Sequence, residues 1–342
     1  MAAYISFQPS DYFSPKIYTG TGGASQAQTG LGFQPDFVWI KARTAVESNT
    51  VWDAVRGVQK GLYTNNNAAE ATISTGLLSF DSDGFTVGSE GKVGGSYDYA
   101  SWNWKAGTTT GLSGGTITPS SYSINTTSGV GIYQYAGNGT DPATIAHGLG
   151  TAPQMVIVKS LASASWAVGH IGMTFNYYGN LDATDQFYDN DGYWSDDAPT
   201  SSVFTLGSDG LVNTNAQNYI AYVFAPVKGF SKFSKWIGNG NVDGPFVYTG
   251  FRPSFIIFKS ATTGYGWYLM DVKRNPYNIV NNYLYANAAD AQGTHGFMDI
   301  NSNGFKIREA GVGSNTIGDT FIYAAFAEFP FVSSNSKPGT AR

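Results

Sequence analysis

An all-β fold is predicted, on three observations. Short runs of Val, Ile, Phe, Tyr and Trp are bounded by Gly, Asn, Asp and Pro. A set of four landmarks recurs in one order three times along the 342 residues. No segment carries a helical stripe, and a turn near Ala54–Val58 is the best helical candidate. The expected fold is therefore three tandem β-sandwich repeats of jelly-roll or lectin-like type, with little helix.

The landmarks come in a fixed order. Each unit opens on a strand and a glycine turn, at Tyr18-Thr19-Gly20, Tyr135-Ala136-Gly137 and Trp236-Ile237-Gly238. Next comes a tight turn running into an apolar strand that ends in lysine: GLGFQPDFVWIK, GLGTAPQMVIVK and YTGFRPSFIIFK, ending at Lys41, Lys159 and Lys259. Continuous apolar runs of this kind are what strands buried on both faces require. The third landmark is a turn feeding a strand around Phe85, Phe204 and Phe305. The fourth is an aromatic closing strand, YASWNW, YIAYVF or FIYAAF. In the closing strands Trp102 and Trp104, like Tyr222 and Phe224, fall on one face by the period of two.

These landmarks divide the chain into an extended N-terminal arm (1–15), repeats at 16–106, 130–228 and 229–332, and a C-terminal tail (333–342). The uncharged Gly/Ser/Thr segment 107–129 reads as a linker with one embedded strand. Only a few residues around Pro226–Lys232 join the second and third repeats. Those two are therefore expected to pack more rigidly on each other than on the first.

Composition narrows the function. Charged residues are 13%, net charge is −5, and the cations are scattered singly, which argues against nucleic-acid binding. There is no cysteine, so no disulfide or thiolate site. The first residues lack a basic, then apolar, leader pattern and no run is long enough to span a membrane, so no membrane partner is expected. No cofactor is expected either. His147, His170 and His295 form no metal-binding or triad pattern and read as turn or core-edge residues.

Four residue sets carry candidate roles. Asp182, Asp185, Asp189, Asp191, Asp196 and Asp197 cluster with Tyr188, Tyr193 and Trp194. This is either a solvated acidic loop or a glycan-contacting one, with Asp189, Asp191, Tyr193 and Trp194 as the contacts; paired carboxylates for hydrolysis are the remaining reading. Asp81, Asp83 and Glu90 partly echo a calcium loop, although Asp-Gly is also an ordinary hairpin pair. Asp53 with Arg56 and Asp271 with Arg274 stand at matching positions and read as structural ion pairs, with His170 replacing the aspartate in the second repeat. The repeated lysines read as strand-end charges. Tyr4, Phe7, Tyr12 and Phe13 mark the arm as a segment that could lie on a neighbouring subunit.

The stretches MAAYISFQPSDYF, GFQPDFVWIK, FDSDGFTVG, SWNWKAG, HGLGTAP, GNGNVDGPFVYTGFRPSFIIFK and YAAFAEFPF together resemble a family of uncharacterised repeat proteins of tailed bacteriophages, notably phages of marine and freshwater bacteria and cyanobacteria. The resemblance runs over essentially the whole chain. It implies a virion protein encoded near tail or host-adsorption genes, made in the host bacterial cytoplasm and carried on the virion surface, and it brings no catalytic residues. The expected function is a non-enzymatic tail fibre, spike or receptor-binding component touching host surface polysaccharide. The alternatives are a capsid decoration or cement protein and, third, a polysaccharide-degrading enzyme. Expected partners are other capsid or tail proteins and further copies of the chain, with a trimer the common form in such particles.

Overall fold

The first repeat contributes nine strands to the computed structural model, which describes residues 5–311 and 313–329. They are β1 (Phe13–Thr19), β2 (Gln26–Thr29), β3 (Phe37–Ala42), β4 (Thr50–Asp53), β5 (Lys60–Tyr63), β6 (Ala71–Thr72), β7 (Leu77–Asp81), β8 (Gly84–Val87) and β9 (Asp98–Trp104). The second gives β10 (Ser121–Asn125), β11 (Val130–Ala136), β12 (Ala143–Ala146), β13 (Met155–Ser160), β14 (Trp166–His170), β15 (Tyr177–Asn180), β16 (Tyr188–Asp189), β17 (Val203–Leu206) and β18 (Asn218–Phe224). The third gives β19 (Ser231–Ile237), β20 (Phe246–Tyr248), β21 (Phe255–Ser260), β22 (Tyr268–Asp271), β23 (Val280–Tyr285), β24 (Gly293–Asn301), β25 (Gly304–Ile307) and β26 (Thr320–Phe326). Among the described residues, helix is confined to α1 (Asp191–Trp194) and two 3-10 turns.

One strand order recurs in the three large sheets. It reads β1-β9-β3-β4-β5, β11-β18-β13-β14-β15 and β19-β26-β21-β22-β23, all antiparallel. The closing strand is thus central, between the opening strand and the apolar strand. The proline before each apolar strand sets its start: the next N–H, of Asp36, Gln154 or Ser254, donates to the last carbonyl of the closing strand at 2.8 Å. Gly20, Gly137 and Gly238 mark where the opening strand ends. A Cβ there would lie 2.0–2.3 Å from a carbonyl oxygen of the facing loop, so no larger residue fits.

Burial follows the pleat. On β3 the side chains of Phe37 and Trp39 face one way and those of Val38 and Ile40 the other, and all are buried. β13 and β21 repeat this with Met155 and Ile157 against Val156 and Val158, and Phe255 and Ile257 against Ile256 and Phe258. One face of each large sheet packs on its own satellite strands: β2-β8-β7, β12-β17, or the curled β24-β25-β20. The other faces of all three large sheets meet in a single aromatic core. Phe37 stacks on Tyr222 at 4.5 Å, Trp102 lies 5.2 Å from Phe255, and Phe224 lies 5.7 Å from Phe326. Each large sheet is thus the middle layer between a private core and the shared one.

Three expectations about organisation change here. The second and third repeats are not a separate rigid pair, because the first contributes Phe37, Trp39, Trp102 and Trp104 to the same core. Segment 107–129 supplies its embedded strand as β10, but the rest of it is also bound: Ile117 is buried, and Thr116 and Ile117 donate to Thr144 O on the edge of β12. The described part of the N-terminal arm lies against its own chain rather than extending toward a neighbour. Phe13 is in β1 and fully buried, and Phe7 packs edge-on against Tyr12 and Phe230 at 5.0 and 5.5 Å, closing one end of the shared core. Tyr4 lies outside the described residues.

Candidate functional site

Buried charge is concentrated where one sheet meets the next. At the end of β4, the side chains of Asp53 and Arg56 are buried and joined Oδ2 to Nε at 2.6 Å, with the Arg56 N–H donating to Asp53 Oδ1 at 2.8 Å. The hydroxyl of Tyr222, from the second repeat, donates to Asp53 Oδ2 at 2.7 Å. Burial acts to lower the Arg56 pKa, but Asp53, Tyr222 and Glu70 outweigh it and hold the guanidinium charged. At the end of β22, Arg274 Nε meets Asp271 Oδ2 at 2.5 Å, and the indole Nε1 of Trp102, from the first repeat, donates to the same oxygen at 3.2 Å.

The third seam completes the set by substitution. His170 takes the aspartate's place, facing Met155 as Asp53 faces Phe37 and Asp271 faces Phe255. The closing-strand position that supplies Tyr222 and Trp102 is Ala324 in the third repeat, in the register opposite Ile257. Where the acceptor is lost, the donor is lost too. His170 instead contacts the Tyr323 carbonyl through Nε2 at 3.0 Å, while its Nδ1 accepts from Gly172 N at 3.0 Å. That pair of partners fits the neutral ring protonated on Nε2.

Burial pushes the His170 pKa down to about 4. Because this lies below the unfolded value of about 6.5, the stability tied to the neutral ring is complete above pH ~6.5 and is lost as pH falls toward 4. The expected loss from this group over that window is on the order of 3 kcal/mol. Urea unfolding of His170→Gln and the parent at pH 7, 5 and 4 checks it: the variant should lose less stability on acidification, and parallel losses would reject the assignment.

A second ring of contacts runs the same way. The Trp166 indole donates to Tyr63 O and the Trp267 indole to Asn180 O, both at 2.8 Å, and Asn49 Nδ2 donates to Tyr285 O and Ala286 O at 3.0 Å. Tyr63, Asn180 and Tyr285 hold equivalent positions on β5, β15 and β23. Lys41, Lys159 and Lys259, expected as solvated strand-end charges, are instead wholly buried in carbonyl cages. Lys41 Nζ donates to Glu47 O and Ala289 O, Lys159 to Ser160 O and Ala162 O, and Lys259 to Thr184 O and Tyr265 O. Burial lowers their pKa values to about 8, 8 and 7.

The proposed surface sites fare differently. Tyr193 and Trp194 are core residues: Tyr193 stacks on Tyr178 at 3.6 Å and Trp194 meets Phe175 edge-on at 6.0 Å. Neither ring is available to a sugar. Asp189 and Asp191 are exposed, with Asp191 opening α1 behind the Asn190 cap. The calcium-loop carboxylates are engaged separately: Asp81 by Thr86 Oγ1, Asp83 by the N–H groups of Gly30 and Gly32, and Glu90 by Lys92. Among the described residues, no three His, Asp or Glu side chains gather as a metal site would require.

The outward face of the third repeat departs from the other two. Ten residues separate Asp53 from Tyr63 and His170 from Asn180, whereas fourteen separate Asp271 from Tyr285. The added residues form the loop Asn275-Pro276-Tyr277-Asn278, where the Tyr277 side chain stands 83% exposed. Tyr248, 58% exposed, occupies the strand position of Thr29 and Ala146, and Arg252 stands before its proline where the other repeats have Gln34 and Ala152. Two clefts of about 480 and 490 Å³ flank the segment from Tyr248 to Arg252. The first holds Lys228, Lys232 and Tyr248, with Lys232 Nζ 5.3 Å from the Tyr248 ring centre; the second holds Arg252, Tyr277 and Asn278. Sequence reasoning missed this face. The lengthened loop and the arginine, both visible on aligning the three repeats, were the available signals.

A family model described as a domain of unknown function, DUF7483, matches residues 8–330. The chain belongs to the DUF7483 family. No curated protein and no solved structure matches the chain. The DUF7483 span takes in all three large sheets and, Ile5 and Phe7 apart, their shared core.

Proposed function

We propose that this DUF7483 chain is a non-enzymatic structural protein exposed on the virion of a tailed bacteriophage, serving as a tail fibre, spike or receptor-binding component that contacts host surface polysaccharide. One observation carries the reading. Most of the charged and hydrogen-bonding side chains buried in the chain join one repeat to the next: Asp53 and Asp271, each held by its own arginine, accept from Tyr222 and Trp102, His170 meets the Tyr323 carbonyl, and Lys41 and Lys259 reach carbonyls of the adjoining repeat. Their chemistry is spent on cohesion. The variable, aromatic and basic groups lie outward, on the third repeat. The resemblance to phage repeat proteins supplies the setting.

Capsid decoration is the second reading, and the cyclic arrangement of the three sheets favours it, since such a body matches a three-fold site in a capsid lattice. Mass spectrometry and cryo-EM of purified virions should find the chain. Density at the tail tip supports the adhesin, and density at three-fold positions over the head supports decoration. Virions that lack the chain would reject both.

A further inference from the structure

We propose that the paired clefts of the third repeat bind a negatively charged polysaccharide, one bearing carboxylate, sulfate or phosphate groups; this rests on the reading of the chain as a glycan-contacting surface protein. The net charge of the whole chain is −5, yet Lys228, Lys232 and Arg252 line these two clefts and Lys273 lies in the same loop region as Tyr277. Among the described residues, Glu328, which is mostly buried, pairs with Lys273 at 2.9 Å and acts on Arg252. Among the described residues that line the two clefts there are three cations and no carboxylate, on a protein that is acidic as a whole. The Arg252 guanidinium is half-buried and makes no hydrogen bond to the described residues, leaving a planar donor fork for a carboxylate or sulfate.

The aromatic component fits the same ligand. Tyr248 stands exposed in one cleft beside Lys232, and Tyr277 in the other, which Arg252 also lines. Exposed rings offer flat apolar faces to pyranose units, while the ammonium and guanidinium groups meet the acidic substituents. Two clefts of similar volume on either side of one short segment suit successive residues of a chain rather than one small molecule. Neither the loop nor the arginine occurs in the first two repeats, so the strand order the repeats share does not require them.

The test is a binding panel with the full chain. Polygalacturonate, dextran sulfate and a phosphate-bearing teichoic polymer are set beside methyl-esterified polygalacturonate and neutral dextran. At least one anionic polymer should bind, its affinity should fall steeply between 50 and 500 mM salt, and Arg252→Gln and Tyr277→Ala should each weaken it about tenfold with unchanged melting temperature. Neutral polymers binding as well as anionic ones would overturn the charge assignment while leaving the glycan reading standing. Anionic binding that both variants retain in full would overturn the site. No binding to any polymer, or to intact host cells, would reject the glycan-contact reading itself.

Discussion

Replacing Trp104 with alanine is expected to destabilise the chain by about 3–5 kcal/mol, the cost of emptying a large aromatic site in a close-packed core. Trp104 is 2% exposed, and its ring lies within 5.0–6.2 Å of Phe13 and Phe37 from the first repeat, Phe224 from the second, and Phe255 and Phe326 from the third. The cavity would open where all three sheets meet, with no single sheet able to collapse into it. Its indole N–H has no hydrogen-bond partner among the described residues, so the loss is one of packing. Trp104→Phe should cost less, in line with the smaller volume removed. Chemical denaturation of both variants checks this, and an alanine variant within 1 kcal/mol of the parent would mean the core is looser than its contacts indicate.

Asp53→Ala should be as costly, for an electrostatic reason. Removing the carboxylate takes the nearest counter-charge from the buried Arg56 guanidinium, leaving it Glu70 at 3.3 Å, and leaves the Tyr222 hydroxyl without its acceptor; breaking such a buried pair costs about 3–5 kcal/mol. Asp53→Leu combined with Arg56→Met removes both charges and should recover much of that loss, because a buried pair adds little over well-packed apolar groups. A double variant no better than Asp53→Ala would show that the pair fixes the loop geometry in addition to neutralising its own charge.

Much of the fold could be read in the chain. The doubly apolar runs of β3, β13 and β21 implied strands covered on both faces, and the repeated i, i+3 spacing of Asp53–Arg56 and Asp271–Arg274 implied ion pairs closing a turn. What covered the second face was not legible, since Tyr222 and Asp53, like Trp102 and Asp271, are 169 residues apart. Complementarity between the closing strands and the Asp or His of the neighbouring repeat was available in the sequence, but only to a reader who knew which sheets touch. Tyr193 and Trp194 misled because their neighbours are acidic; one turn of helix tucks both rings beneath an exposed carboxylate surface. The lysines misled because a strand-end lysine is ordinarily solvated. Here a loop or the adjoining repeat supplies carbonyl oxygens around each ammonium group.

The central claim is that three sheets form one body through their seams. Hydrogen exchange with mass spectrometry on Asp53→Ala tests it most directly. The account predicts that protection falls together in β3, β13 and β21, although the substitution lies in the first repeat alone. Loss of protection confined to the first repeat, with β13 and β21 exchanging as in the parent, would contradict it.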